Sequence, residues 1–191
     1  MDLQQNSISR RDFLNTAAVT AAAVMAAGPV FEISGKEEPK AMAMKMPAIF
    51  VCGVCGHVEF GSAPEHCPVC HAPKEKFTQD DMLFMDAMKK FPDAGVSHDP
   101  VVMIKKEPPL INDIPCKEIS ARVGKKMHTM EEAHHIKFID FYIDDKFLTR
   151  SFLNLDMYPA ASYYTKVAGS KVRAVEYCTV HGYWQAESTV G

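Results

Sequence analysis

The sequence predicts a mainly β protein: a small metal knuckle, one linking helix, then an antiparallel β-sandwich. Three observations carry that expectation. Two C-x-x-C pairs stand close together between Cys52 and Cys70. Residues 79–95 carry helical spacing that ends at Pro92. From Val96 onward, short apolar runs recur between Pro, Gly and Asp punctuation.

Composition bounds the rest. The 191 residues leave room for one medium domain or two small ones, and 47% hydrophobic content is that of a globular chain. Twenty-one basic against 24 acidic residues give a net charge of −3, which argues against a nucleic-acid partner. Four of the six cysteines fall in the C-x-x-C pairs, a grouping that suits a metal better than disulfides.

Residues 1–46 read as an export signal and tether. Ser9-Arg10-Arg11-Asp12-Phe13-Leu14 is a twin-arginine pattern, and the Ala-rich run from Thr16 to Ala27 is too short for an ordinary membrane span. The twin-arginine machinery exports folded proteins, so metals can be inserted before the chain crosses. The destination is the periplasm or the outer face of the cytoplasmic membrane. Ala41-Met42-Ala43 offers a cleavage point far from the apolar run, which leaves cleavage and an uncleaved anchor as alternatives. Gly35 to Pro47 reads as flexible.

Residues 47–78 form the knuckle unit. Cys52 and Cys55, then eleven residues, then Cys67 and Cys70 can present four thiolates at the corners of a tetrahedron. Zinc and iron both accept that arrangement. His57, His66 and His71 read as surface residues, since four sulfurs complete the shell. In the linker helix, Thr78 is the expected N-cap, with Asp80 and Asp81 in the first turn. Met82, Met85 and Met88 recur at i, i+3 beside a stripe of Phe84, Met88 and Phe91. That apolar face is expected to pack one domain on the other rather than to bind copper.

Residues 96–191 form the sandwich. Strand-type runs cover 101–104, 119–123, 136–143, 147–153, 162–167 and 171–178, separated by Pro108-Pro109, Gly124, Asp144-Asp145 and Gly169. This segment ends in Cys178-Thr179-Val180-His181-Gly182-Tyr183-Trp184, where a thiol and an imidazole three residues apart can face one point. Upstream stand His128-Thr129-Met130, His134-His135-Ile136 and His98-Asp99-Pro100-Val101. Together the clusters favour four imidazoles and one thiolate: His98, His128, His134 and His181 with Cys178. His134 and His135 compete for one place, because adjacent strand residues point to opposite faces. Cys116 is left over, either pairing with Cys178 or acting as a small buried hydrophobe.

These three motifs, in this order, resemble the catalytic domain of superoxide reductases of the desulfoferrodoxin and neelaredoxin family, over roughly residues 96 to 187. The resemblance implies an immunoglobulin-like sandwich and takes His134 as the ligand. It also implies one-electron reduction of superoxide to hydrogen peroxide at Fe(His)4Cys, with four imidazoles in a plane and Cys178 on the axis. Residues 50–77 closely resemble the rubredoxin-like domain of rubrerythrins, which implies an Fe(Cys)4 centre that shuttles single electrons. Its role would be to return the catalytic iron to the ferrous state, either directly or as a docking relay for an unidentified external donor. Lys125 and Lys126 are candidates for drawing in the anion, or else a solvated turn. The family usually carries Glu-Lys before its first histidine ligand, the Glu able to occupy the sixth position of oxidised iron and the Lys assisting capture. Here Val96-Ser97 stand there, so neither role carries over. The rival readings are a two-centre electron carrier that binds no substrate and a zinc-ribbon metal-binding module. A homo-oligomer is compatible with the sequence.

Overall fold

The computed structural model describes residues 47–106 and 116–189. The twin-arginine segment, the tether and Pro108-Pro109 lie outside the described residues. No helix among the described residues is long and apolar enough to cross a membrane.

Three short antiparallel strands open the fold: β1 (Ile49–Cys52), β2 (Val58–Phe60) and β3 (Phe77–Gln79), in the order β2-β1-β3. Two similar turns project from them. In the first, Cys52 N–H bonds the His57 carbonyl and Gly56 N–H returns to the Cys52 carbonyl. In the second, Cys67 N–H bonds Ala72 and His71 N–H returns to Cys67. Gly56 and His71 hold corresponding places after the second cysteine, and both have positive φ.

The linker departs from expectation. Thr78 pairs with Val51 inside β3, so it cannot cap a helix. Helix α1 spans Leu83–Lys90, and the Met82 N–H ahead of it is taken by Asp80 Oδ1. Nor do the methionines pack: Met82, Met85 and Met88 are 40%, 50% and 56% exposed, while Phe84 and Ala87 are buried. A second, one-turn helix α2 (Gly95–His98) follows.

The remaining strands are β4 (Pro100–Lys106), β5 (Lys117–Val123), β6 (Ile136–Ile143), β7 (Lys146–Phe152), β8 (Ala160–Thr165), β9 (Lys171–Cys178) and β10 (Gly182–Thr189). They form an antiparallel sandwich of β10-β9-β6-β7 against β4-β5-β8. The last strand, β10, is absent from the sequence expectation. Its Tyr-Trp-Gln-Ala-Glu-Ser-Thr run alternates weakly, and pairing with β9 through its whole length defines it.

Between the two sheets lie Ile119, Ala121 and Val123 of β5, Ile139, Phe141 and Ile143 of β6, and Val172 and Ala174 of β9. The opposite face of the four-stranded sheet is buried too. Tyr142 and Val175 pack there against Ile49, Val58, Phe60 and Phe84. It is therefore the knuckle sheet, helped by Phe84, that covers the sandwich, and not the methionine stripe. Burial on both faces explains why β6 reads as a near-continuous apolar run.

Candidate metal centres

The first group assembles at one end of the sandwich. His98 ends α2, His128 follows the turn after β5, and His134 stands just before β6. Cys178 ends β9, and His181 lies in the turn that leads to β10. Gly182 has φ +76°, which lets the chain reverse within that turn. His134 lies in a turn bridged by Glu131, not on a strand. His135 is tied instead to Thr179, whose N–H donates to the His135 carbonyl while its Oγ1 accepts from the His135 N–H, and it leaves the cluster, its Nδ1 toward the Glu131 carbonyl. A bulge in β6 between Ile136 and Phe138 lies beside this junction.

The five ligand atoms lie within 4.8 Å of one another. Around the ring, His98 Nε2 to His128 Nε2 is 3.1 Å, His128 Nε2 to His134 Nε2 is 3.0 Å, and His134 Nε2 to His181 Nδ1 is 3.0 Å. Neighbouring rings stand steeply to one another, at 64° to 84°, while His98 and His134, 6.0 Å apart across the ring, are 21° from parallel. A square of nitrogens about 2.1 Å from a central ion has sides of about 3.0 Å. The ring fits that figure. Cys178 Sγ lies to one side of the ring, 3.6 Å from His128 Nε2 and 3.5 Å from His181 Nδ1.

Hydrogen bonds fix which nitrogen faces inward. His98 Nδ1–H donates to the Ala94 carbonyl at 2.8 Å, and His128 Nδ1–H donates to Thr129. Both therefore turn Nε2 to the centre. Burial, reinforced by the neighbouring imidazoles, lowers His98 to about 4 and holds His128 and His181 below the usual value. Neutral imidazole is the form that binds metal. Burial pushes the Cys178 thiol up, against N–H bonds from Val180 and His181, so a bound cation is what would keep it a thiolate.

The second group is Cys52, Cys55, Cys67 and Cys70, again within 4.8 Å. Cys52 to Cys70 is 3.7 Å and Cys55 to Cys67 is 3.5 Å. A sulfur tetrahedron with metal–sulfur bonds of about 2.3 Å has edges of about 3.8 Å. Burial raises Cys55 and Cys67, so this shell also calls for a cation.

The nine side chains named from the sequence are thus gathered into two groups. Cys116 and Cys178 are free thiols, without the disulfide. Ser97 Oγ donates to the Ala94 carbonyl and lies 3.0 Å from His98 Nδ1, Val96 is exposed, and Lys125 and Lys126 are exposed in their turn. His66 and His71 are exposed, but His57 is not: it is 0% exposed. Its ring lies between Asp140 Oδ2 at 3.3 Å and Glu59 Oε2 at 3.1 Å, because the knuckle sheet carries it onto the sandwich.

Trp184 belongs to the closing motif, but neither Phe91 nor Glu176 has a motif to announce its place in the site. Trp184 packs over His98 at 5.2 Å, and Phe91 stands edge-on to His181 at 4.6 Å. Glu176 faces Trp184 across β9 and β10, fully buried. Burial, with Asp99 adding, pushes its carboxyl well above the usual range. Period-2 alternation back from Cys178 is the signal that places Glu176 on the inner face.

Comparison with known proteins agrees with this geometry. Residues 90–187 match the family described as Desulfoferrodoxin, residues 50–78 the rubrerythrin rubredoxin-like domain, and residues 1–31 the TAT signal of the ubiquitinol-cytochrome c reductase Fe-S subunit. Similar relatives include the desulfoferrodoxin of Desulfarculus baarsii, 43% identical over 67 residues, and that of Nitratidesulfovibrio vulgaris, 39% identical over 66. These matches cover 35% of this chain and 51% and 50% of the relatives, so the chain spans about half the length of the curated relatives it matches. Among solved structures, the superoxide reductase from Nanoarchaeum equitans is 29% identical, with a TM-score of 0.40 over 49% of this chain and 93% of that one. The superoxide reductase from Treponema pallidum is 15% identical, with a TM-score of 0.45 over 74% and 98%. Two mononuclear iron sites, Fe(Cys)4 and Fe(His)4Cys, fit the two donor sets. The Desulfoferrodoxin match takes in just over half of the chain and the whole five-residue group, and on that ground the chain belongs to the desulfoferrodoxin family.

Proposed function

We propose that the protein reduces superoxide by one electron to hydrogen peroxide, as an exported superoxide reductase. The carrying observation is the square of four imidazole nitrogens with a single sulfur to one side. Five donors would hold one ion and leave room for a small anion as a further ligand. Iron held by these residues would supply a ferrous–ferric couple, the one-electron chemistry that the reaction needs.

The chain's own residues do the rest. His98, His128, His134 and His181 would hold the ion through their ring nitrogens, and the Ala94 and Thr129 carbonyls hold two of the rings in their tautomer. Cys178 would hold the same ion as a thiolate, a soft anionic donor that raises the electron density on the metal. Lys125 and Lys126 draw in the anion, while Val96 and Ser97 bring neither carboxylate nor cation. Cys52, Cys55, Cys67 and Cys70 would hold a second iron, which would supply single electrons from an external donor for re-reduction of the first site. Residues 47–78, 79–95 and 96–191 then divide into electron entry, linker and reactive unit. The match of residues 1–31 to a TAT signal supports export to the periplasm or the outer face of the cytoplasmic membrane.

Pulse radiolysis of the fully reduced protein tests the reading. The expected result is one hydrogen peroxide per superoxide consumed, without oxygen release. Oxygen release would mean dismutation, and no consumption would mean an electron carrier.

A further inference from the structure

Tyr183 stands two residues beyond His181, at the start of β10. Its hydroxyl donates to the carbonyl of Gly56, the residue after Cys55, at 3.0 Å. Gly56 admits that approach: a Cβ there would meet Tyr183 Oη at 2.6 Å, and its φ of +72° disfavours any side chain. Directly opposite Tyr183 in the β9–β10 register is Tyr177, its ring 4.7 Å away, and Tyr177 adjoins Cys178. One phenol therefore touches the knuckle that carries Cys55 and lies against both chain segments that carry His181 and Cys178.

We infer that Tyr183 is the bridge for electron transfer between the two centres. The inference rests on the proposed function for its purpose, namely re-reduction of the catalytic iron. A single electron leaves the four-cysteine iron, which goes from ferrous to ferric, and enters the five-ligand iron, which goes from ferric to ferrous. An external one-electron donor then restores the first. No proton moves, and Tyr183 is neither oxidised nor reduced. It provides coupling: covalent bonds run from Cys55 to the Gly56 carbonyl, one hydrogen bond crosses to Tyr183, and covalent bonds continue through Gly182 to His181. Electronic coupling falls far more steeply across a van der Waals gap than along bonds or a hydrogen bond. Elsewhere on the interface, Tyr142 donates to the Val58 carbonyl at 2.6 Å, an equivalent bond between the same two units. Tyr142 pairs with Arg173, at the opposite end of β6 from Ile136, which pairs with Cys178, so it holds the units together without shortening the path to the five-ligand group.

That pair supplies the test. In full-length, iron-loaded protein without superoxide, a radical reductant is pulsed in and the two iron(III) absorption bands are followed. The first-order transfer between centres should slow by about tenfold or more in Tyr183→Phe. It should keep its wild-type rate in Tyr142→Phe, with both reduction potentials unmoved in each variant. Equal slowing in both variants would reduce Tyr183 to a docking contact and overturn the inference, as would a wild-type rate in Tyr183→Phe. Because no superoxide is present, the outcome is separable from the proposed activity. Wild type that transfers internally but reduces no superoxide would sink the activity and leave the bridge standing.

Discussion

Replacing Arg150 by alanine should unseat the knuckle from the sandwich. The guanidinium donates to both Asp140 oxygens, at 2.6 and 2.7 Å, and to the Cys55 carbonyl at 2.8 Å. It also lies 3.5 Å from the centre of the Phe138 ring. Truncation leaves a fully buried Asp140 without its arginine, and breaking a buried pair from one side costs about 3–5 kcal/mol. His57 remains 3.3 Å from the same carboxyl. Burial works against a charged His57, but its bonds to Asp140 and Glu59 outweigh that and raise its pKa. The His57 ring thus still partly answers Asp140, which sets the expected loss near the lower bound, about 3 kcal/mol. For a unit of this size, Tm should fall by about 6–12 °C. Calorimetry on the metal-loaded protein measures the loss, and amide exchange at residues 52–58 shows whether the knuckle opens first. Arg150→Lys should recover part of it, since the charge returns without the fork. A loss below about 1 kcal/mol, the scale of an exposed pair, would refute the reasoning.

Cys178→Ser should abolish the thiolate-to-iron absorption and superoxide reduction while the four-cysteine spectrum persists, because a serine hydroxyl is neither charged nor soft. Metal analysis should find two irons per chain, and chelating the four-cysteine metal should make residues 50–78 sensitive to protease while the sandwich survives, since that segment has few core residues of its own. Ser97→Lys should raise the second-order rate with superoxide and steepen its fall with ionic strength, measured by pulse radiolysis across a salt series. An unchanged rate and salt slope would mean that position 97 does not face the reactive side.

Local signals were the legible ones. The strand runs at 136–143 and 171–178 coincide with β6 and β9, because each is apolar and bounded by turn residues. The C-x-x-C and C-x-x-H spacings carry their own geometry, so their side chains could be grouped before any fold was known. Contacts between distant segments were not legible. The methionine stripe has the right period for a packing face, yet period says only that a face exists. The neighbouring Phe84 face, able to meet Phe60 and Tyr142, is the one that docks. Thr78 has the composition of an N-cap, but a ladder with Val51 outweighs a cap still lacking its helix.

His57 shows the limit most clearly. Once four sulfurs fill the shell, a histidine two residues beyond Cys55 looks surplus, and surplus histidines belong in water. The contrary signal sits 83 positions away: Asp140, an acid inside an apolar strand. A strand buried on both faces admits an acid only where partners converge on it, and here Arg150, His57 and Tyr142 do. Glu176 on the neighbouring strand is as deeply buried but has no hydrogen-bond partner among the described residues, and burial drives its carboxyl toward the neutral form. The two acids look alike in the sequence. What separates them is the surface each strand face meets: Asp140 faces His57 of the knuckle and Arg150 of β7, whereas Glu176 faces the interior beneath Trp184. An isolated acid in a two-faced strand therefore marks a position where a partner must be sought, and only the packing of the sheets says whether one is there.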